Sequence, residues 1–461
     1  MSKMHLAKIF GGVLMEILLG LVVLLGGLML GVRHGGIGLA VINGIAVVIF
    51  TFVFGYKPGK PPIDVMLIIM AVVTCAGTLQ TAGGLNVMLK YAEKFLRSNP
   101  KRITIYAPIT TWLLTVLCGT GHVVYTIMPI IYDIAIKQGI RPERPMAVAS
   151  VSSQVGITAS PVSVAVVSIV GFLVASGYDC TVGNVLMISI PATFCGVLAA
   201  AIWSYRRGKD LEKDERFQKF ISDPENKAYV YGETATLANQ ELSKYAYRAV
   251  YIFFAGILAI TCLGNMPSLL PHFAANANSP AKPISMVLVI QMVMMMVGAF
   301  ILIGSKVKAK DIPNSNVFKA GMIALVTVYG VAWAADTYFA HHMPVIKEVL
   351  GGAVQEYPWA YGVVLFTASV LINSQGAAIA IVTPMALGIG ADPVIILSFI
   401  SAAYGYFFLP NYPSDLATIG FDRAGTTKIG GLILNHSFMI PGLIAVVVGC
   451  AVGYALAHVI L

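Results

Sequence analysis

Long apolar runs separated by short polar breaks dominate this chain. A helix needs roughly 20 apolar residues to cross ~30 Å of hydrocarbon. On that measure the runs predict spanning helices near 12–32, 36–55, 63–82, 146–177, 182–205, 247–266, 284–304, 318–339, 391–421 and 436–461, ten crossings in all. Two more apolar stretches, 103–135 and 358–388, are interrupted midway by small and polar residues, and each half is too short to cross alone. They are expected to be re-entrant hairpins, with a double crossing as the alternative. The predicted fold is therefore an all-α polytopic membrane protein. Its first run is longer than a secretory h-region and lacks a small-x-small cleavage site before the next span, so it is expected to be retained.

Composition agrees. The 461 residues are 57% hydrophobic and 11% charged, against about 25% charged in an ordinary soluble domain. The six cysteines are scattered with no metal-ligand spacing, and neither a metal site nor a cofactor is expected. A net charge of +9 would suggest an acidic partner for a soluble protein. Here the basic residues cluster in loops, as the positive-inside rule requires, so nucleic-acid binding is a poor reading and membrane lipid is the expected surrounding.

The same rule sets the orientation. With the polar loop 206–246 inside, only Lys3, Lys8, Lys57, Lys60, Lys282 and Lys347 of the 30 Lys and Arg lie outside. Both termini then fall on the outer, periplasmic face of a bacterial inner membrane. Counting either interrupted stretch as one crossing would destroy this asymmetry.

The punctuation occurs twice. Gln80-Thr81 closes one span, Gly121 follows 41 residues after Gln80, and Pro129 eight residues later, with Ala159-Ser160-Pro161 beyond. Asp336-Thr337 is expected to close the matching span, with Gly376 40 residues after Asp336, Pro384 eight later, and Pro410-Asn411-Tyr412-Pro413 last. Residues 1–205 and 247–461 thus read as two repeats around a cytoplasmic connector at 206–246. Five crossings in each, an odd number, invert the second relative to the first, and sites in such folds lie where broken helices of both repeats meet.

Four interruptions are therefore the candidate site. At the first hairpin tip Gly119, Thr120, Gly121 and His122 offer a tight reversal, freed backbone amides and a hydroxyl, a combination suited to a carboxylate. Close helix packing by small residues is the structural alternative. The second tip, Asn373, Ser374, Gln375 and Gly376, places three polar side chains in succession where hydrocarbon tolerates them only beside a cavity. In the crossing helices, Ser152, Ser153, Gln154, Thr158, Ser160 and Pro161 form one hydroxyl-rich expected break, and Pro410, Asn411, Tyr412, Pro413, Ser414 and Asp415 a more severe one. A simple proline kink without ligand is the plainer reading of each. Among ionisable groups at membrane depth, Asp336 and Asp415 are candidates for a coupling proton, with helix capping as the alternative. Leu85 to Arg97 and its counterpart His341 to Gln355 read as amphipathic interfacial helices that join a mobile unit to a fixed one.

Five strings, in order along the chain, carry a family resemblance: Leu117 to Pro129 (LCGTGHVVYTIMP), Ala159 to Ala165 (ASPVSVA), Tyr357 to Ala360 (YPWA), Leu409 to Leu416 (LPNYPSDL), and Gly425-Thr426-Thr427 with Asn435-His436. The chain resembles the anaerobic C4-dicarboxylate carriers, the Dcu family, particularly the B-type. That resemblance implies exchange of external fumarate, malate or aspartate for internal succinate, with proton-coupled uptake also open. It implies an architecture like the ion-transporter superfamily, with scaffold helices 12–55 and 247–304, transport parts 63–177 and 318–421, closing helices 182–205 and 436–461, a homodimer and an elevator motion. Some B-type members also contact a membrane sensor kinase. Asn411 and Gly376 depart from the threonine and alanine of the family's pattern, which bears on fine selectivity. A cation/proton antiporter is the competing reading, although such carriers need carboxylates at the crossing and Asp415 is the only one near these breaks. A membrane enzyme is disfavoured because no HExxH or GxSxG motif occurs.

Overall fold

In hydrocarbon every backbone polar group must find a partner within the protein, so apolar runs of this length become helices. The computed structural model describes residues 3–34, 37–232, 241–274, 281–410, 412–430 and 435–461. Helices dominate these residues, and the strands among them are His272–Phe273 and Lys282–Pro283, paired antiparallel in one short hairpin.

The first half opens with Lys3–His34 and Gly38–Val48, the latter widened by one looser turn at Ile49–Val53. Ile63–Thr81 follows, ended by Gly83, which adopts a left-handed conformation (φ 84°) open to glycine without a Cβ penalty. The amphipathic helix Gly84–Ser98 comes next, with Val87, Met88, Ala92 and Leu96 buried on one face. The hairpin arms are Ile103–Cys118 and Val124–Lys137. Beyond them lie the half-helices Glu143–Val155 and Val164–Ala175 and the closing helix Val182–Ser204.

The second half has a matching order. Lys244–Asn265 and Met286–Gly304 lead into the 41-residue helix Asn316–Glu356, then the arms Trp359–Ile372 and Gln375–Gly388, the short helices Pro393–Ser398 and Pro413–Phe421, and finally Met439–Ile460. The two closing helices pack against each other.

One expectation is corrected. Asp336-Thr337 does not close a span, because helix Asn316–Glu356 runs through it. The first half has Gly83 and Gly84 at the corresponding place, whereas the second has no glycine between Thr337 and Gly351, and Pro344 does not stop the helix. The crossings expected at 146–177 and 391–421 are broken at their polar interruptions, not merely kinked. Each is two helical pieces separated by several non-helical residues. Among the described residues, six segments are long and apolar enough to cross a membrane, including Glu143–Ala175 taken across its break. Met15–Gly31, Gly38–Val53 and the two arms of the second hairpin are shorter apolar helices.

Buried ion pairs tie these parts together. Glu93, wholly buried on the amphipathic helix, pairs with Arg97 at 2.8 Å, and Arg97 reaches Asp133 of the first hairpin at 2.9 Å. At the connector end, Arg141 binds both Glu143 (2.9 Å) and Asp214 (2.7 Å), while Glu143 also accepts from the Ser437 hydroxyl at 2.7 Å. One network thus joins the connector to segments of both halves.

Candidate functional site

Each hairpin turns through the same two backbone conformations. Helix Ile103–Cys118 ends on Gly119, left-handed at φ 74°, whose amide donates to the Thr115 carbonyl at 2.8 Å, and Thr120 is then extended. A Cβ at Gly119 would lie 2.8 Å from the Val162 carbonyl oxygen, so this position admits no side chain without a shift of the wall. Helix Trp359–Ile372 ends on Asn373, left-handed at φ 57°, and Ser374 is then extended. Asparagine tolerates that region better than most residues. In both tips the extended residue carries a hydroxyl that caps the returning segment: Thr120 Oγ1 accepts from the His122 amide (3.3 Å), and Ser374 Oγ from the Ala377 amide (3.3 Å). Thr120 Oγ1 also lies 2.8 Å from His122 Nδ1.

Both tips open into one cavity of about 500 Å³. Gly119, Thr120, Gly121 and His122 line it from the first hairpin, and Asn373, Ser374, Gln375 and Gly376 from the second, with Tyr412 and Pro413 at the second break. The opposite wall is apolar, formed largely by Val317, Ala320, Gly321, Ala324 and Val328 of the long helix. No Lys, Arg, Asp or Glu is among the described lining residues. The first amides of a helix have no intrahelical acceptor, so the turn that begins at Gln375 presents donors and a positive dipole end to this space. Two side-chain oxygens beside it, Asn373 Oδ1 and Gln375 Oε1, are buried without a protein partner.

Other expected site residues stand behind the wall. Thr158 and Ser160 are buried and occupied with the first break: Thr158 Oγ1 donates to the Val155 carbonyl (3.0 Å) and Ser160 Oγ accepts from the Val162 amide (3.3 Å). Pro161, Pro410 and Ser414 likewise do not line the cavity, and Asn411 lies outside the described residues. Asp336 is not at the cavity either. Its carboxylate accepts from the Lys60 amide at 2.8 Å, and the neighbouring Thr337 Oγ1 accepts from the Gly59 amide at 3.0 Å, so the pair caps the loop before Ile63–Thr81. Asp415 is 1% exposed one layer below the cavity; Oδ1 accepts from Ser150 Oγ at 2.7 Å and Oδ2 has no hydrogen-bond partner.

Gln154, expected within the first break, and Tyr406, outside the expected set, tie the second tip to that break. Tyr406 Oη donates to Gln154 Oε1 at 2.8 Å, and Gln375 Nε2 donates to the Gln154 carbonyl at 2.8 Å and lies 3.2 Å from Tyr406 Oη. Gln154 and Tyr406 both line the cavity. The sequence offers only a faint signal for Tyr406, which lies four residues before Pro410.

A multi-pass helical membrane protein whose two polar hairpin tips and two broken helices surround a single cavity is, by class, a membrane transporter. Its fold is similar to two solved structures. The YdaH transporter of Alcanivorax borkumensis aligns with TM-score 0.56 at 13% identity, over 90% of this chain and 88% of that one. MtrF of Neisseria gonorrhoeae aligns with TM-score 0.51 at 12% identity, over 92% and 83%. The chain belongs to the anaerobic C4-dicarboxylate membrane transporter family, whose model matches residues 16–461. It is 54% identical over 440 residues to the anaerobic C4-dicarboxylate transporter DcuB of Escherichia coli O6:H1, covering 95% of this chain and 97% of that protein. It is also 36% identical over 445 residues to the C4-dicarboxylate transporter DcuA of Wolinella succinogenes, covering 96% and 99%.

Proposed function

We propose that this protein is a secondary carrier that exchanges C4-dicarboxylates, external fumarate, malate or aspartate for internal succinate, across a bacterial inner membrane. The observation that carries this reading is the matched pair of tips. Two left-handed-then-extended turns, each with a hydroxyl cap, meet in one cavity with no charged side chain among its described lining residues. A substrate with a carboxylate at each end fits such a pair, one carboxylate to each tip, held by amides and hydroxyls rather than by Lys or Arg. Binding of that kind is modest in strength, which suits release on the far side. A cation/proton antiporter is not favoured, because the cavity has no carboxylate among its described lining residues.

Two inverted repeats, 1–205 and 247–461, are part of this reading, with scaffold helices 12–55 and 247–304 and transport parts 63–177 and 318–421 that move as an elevator in a homodimer. The matching helix order of the halves supports the repeats, and the meeting of both tips in one cavity supports re-entrant hairpins over double crossings. Asp415, buried with one free oxygen beside Ser150, is the candidate for a coupling proton. Both termini are assigned to the periplasm from the distribution of Lys and Arg.

The test uses purified protein in liposomes loaded with succinate, measuring uptake of labelled fumarate with and without internal succinate and with a sodium gradient alone. Uptake that needs internal dicarboxylate and ignores sodium is expected. Sodium or proton flux without any dicarboxylate flux would discard the exchanger reading.

A further inference from the structure

A second cavity of about 500 Å³ lies on the connector face, away from the hairpin tips. Arg144, Tyr205, Arg206, Lys209, Asp210 and Lys213 line it. We propose that it binds the phosphate headgroup of an anionic phospholipid.

The charge arrangement comes first. Arg144 is held in place by the carbonyls of Arg207 (2.7 Å) and Gly208 (2.9 Å) and by Asp210 Oδ1 (2.9 Å). That pairing uses the one acidic residue of the cavity. Arg206, Lys209 and Lys213 are exposed and form no ion pair among the described residues, so the lining carries a surplus of three positive charges. A cation at the carboxyl end of helix Val182–Ser204 offsets its dipole, but Arg144 and Arg207 already stand there. The three others need a different account.

Position supplies it. The last turn of this helix exposes Ile202 (61%), Trp203 (38%) and, just beyond, Tyr205 (50%). Large apolar and aromatic side chains exposed at a helix end, next to basic residues, mark the boundary between acyl chains and headgroups. Arg102, also exposed, adds a further cation near Tyr205. The cavity therefore opens at headgroup depth, beside a lipid-facing helix, on the side where basic residues concentrate. A phosphate there meets fixed Arg144 at the floor and three mobile cations at the rim, while its acyl chains lie along Ile202 and Trp203. Each basic residue near such a surface contributes about fivefold in affinity, about 1 kcal/mol.

The test compares the protein with R206A/K209A/K213A in detergent, with native mass spectrometry reading the retention of phosphatidylglycerol and of phosphatidylcholine with identical chains. Selective retention of phosphatidylglycerol by the parent, weakened on the order of 100-fold in the triple variant and kept in R206K/K209R/K213R, is the expected result. Equal retention in parent and R206A/K209A/K213A, or equal retention of the two lipids by the parent, overturns the proposal. Displacement of phosphatidylglycerol by an equal concentration of inorganic phosphate overturns the lipid assignment and makes this a site for the free ion. An unchanged thermal midpoint confirms that the variants are folded; should the triple variant fail to fold, loss of phosphatidylglycerol retention by the parent at high salt is the expected substitute result, and salt-insensitive retention overturns the proposal.

Discussion

Gln375 of the second hairpin donates its side-chain amide to the backbone carbonyl of Gln154 in the first broken helix at 2.8 Å. Helix Glu143–Val155 ends one residue later, and this last-turn carbonyl also accepts from the Gly156 amide. A residue from one half of the chain thus completes a helix end in the other, at the cavity. Gln375→Leu removes the donor that crosses from the other half, at a cost of about 1 kcal/mol. We expect a lower thermal midpoint and at least a tenfold slower dicarboxylate exchange. A variant that matches the parent in both measurements would remove the contact from the mechanism.

The tips make a paired prediction. Thr120→Val and Ser374→Ala remove the two capping hydroxyls while sparing the backbone turns. Each is expected to raise the KM for fumarate severalfold with folding retained. At Asn373, whose φ of 57° is left-handed, glycine should be tolerated, whereas valine should cost about 1–2 kcal/mol of stability. Reversal of that order in thermal melts would contradict the assigned turn.

Asp415 allows exchange and proton coupling to be separated. Asp415→Asn keeps an acceptor for Ser150 Oγ, 2.7 Å from Oδ1 in the native chain, but cannot carry a proton. Fumarate–succinate exchange is expected to persist while uptake driven by a pH gradient is lost. Intact gradient-driven uptake in this variant would exclude Asp415 as the carrier.

Arg97 bridges two buried carboxylates, Glu93 and Asp133, at 2.8 Å and 2.9 Å. Breaking a fully buried pair costs about 3–5 kcal/mol; Arg97 is 31% exposed and Asp133 keeps Lys137 at 2.7 Å, so a cost below that range is expected. Arg97→Ala should lower the thermal midpoint, and Arg97→Lys should recover only part of it because lysine cannot serve both acids with one planar group. Full recovery by lysine would argue against this two-acid geometry.

The connector should loosen in acid. Partial burial pushes the Asp214 carboxyl up, but the hydrogen bond from Arg141, with those from the amides of Phe217 and Arg216, outweighs it and holds the group below the usual carboxylate range. The Arg141–Asp214 contribution is then present at neutral pH and down to the unfolded carboxylate range, about pH 4. It is lost as the pH falls through the lower folded value. Hydrogen exchange over residues 206–232 should rise below about pH 4, and Asp214→Asn should show that faster exchange already at neutral pH.

The sequence by itself determined that this is a helical membrane protein, where its hairpin tips lie and which residues occupy them. Apolar length and polar interruption are local properties that hydrocarbon enforces on any chain, so Gly119 to His122 and Asn373 to Gly376 were legible at their places. Tertiary structure decided which interruptions share a cavity. Thr158, Ser160 and Ser414 have the composition of site residues, yet the first two use their hydroxyls on the backbone of the first break, and Ser414 Oγ faces Gln154 Nε2 at 3.5 Å without lining the cavity. Tyr406 looks ordinary in sequence and meets Gln154 of the first break at the cavity only because two halves of the chain pack across it. Asp336, an ionisable residue in an apolar run, turns out to cap a loop residue, Lys60, far away in sequence. What a polar side chain does in such a protein depends on the partner that packing brings to it, and spacing along one strand of sequence does not encode that partner.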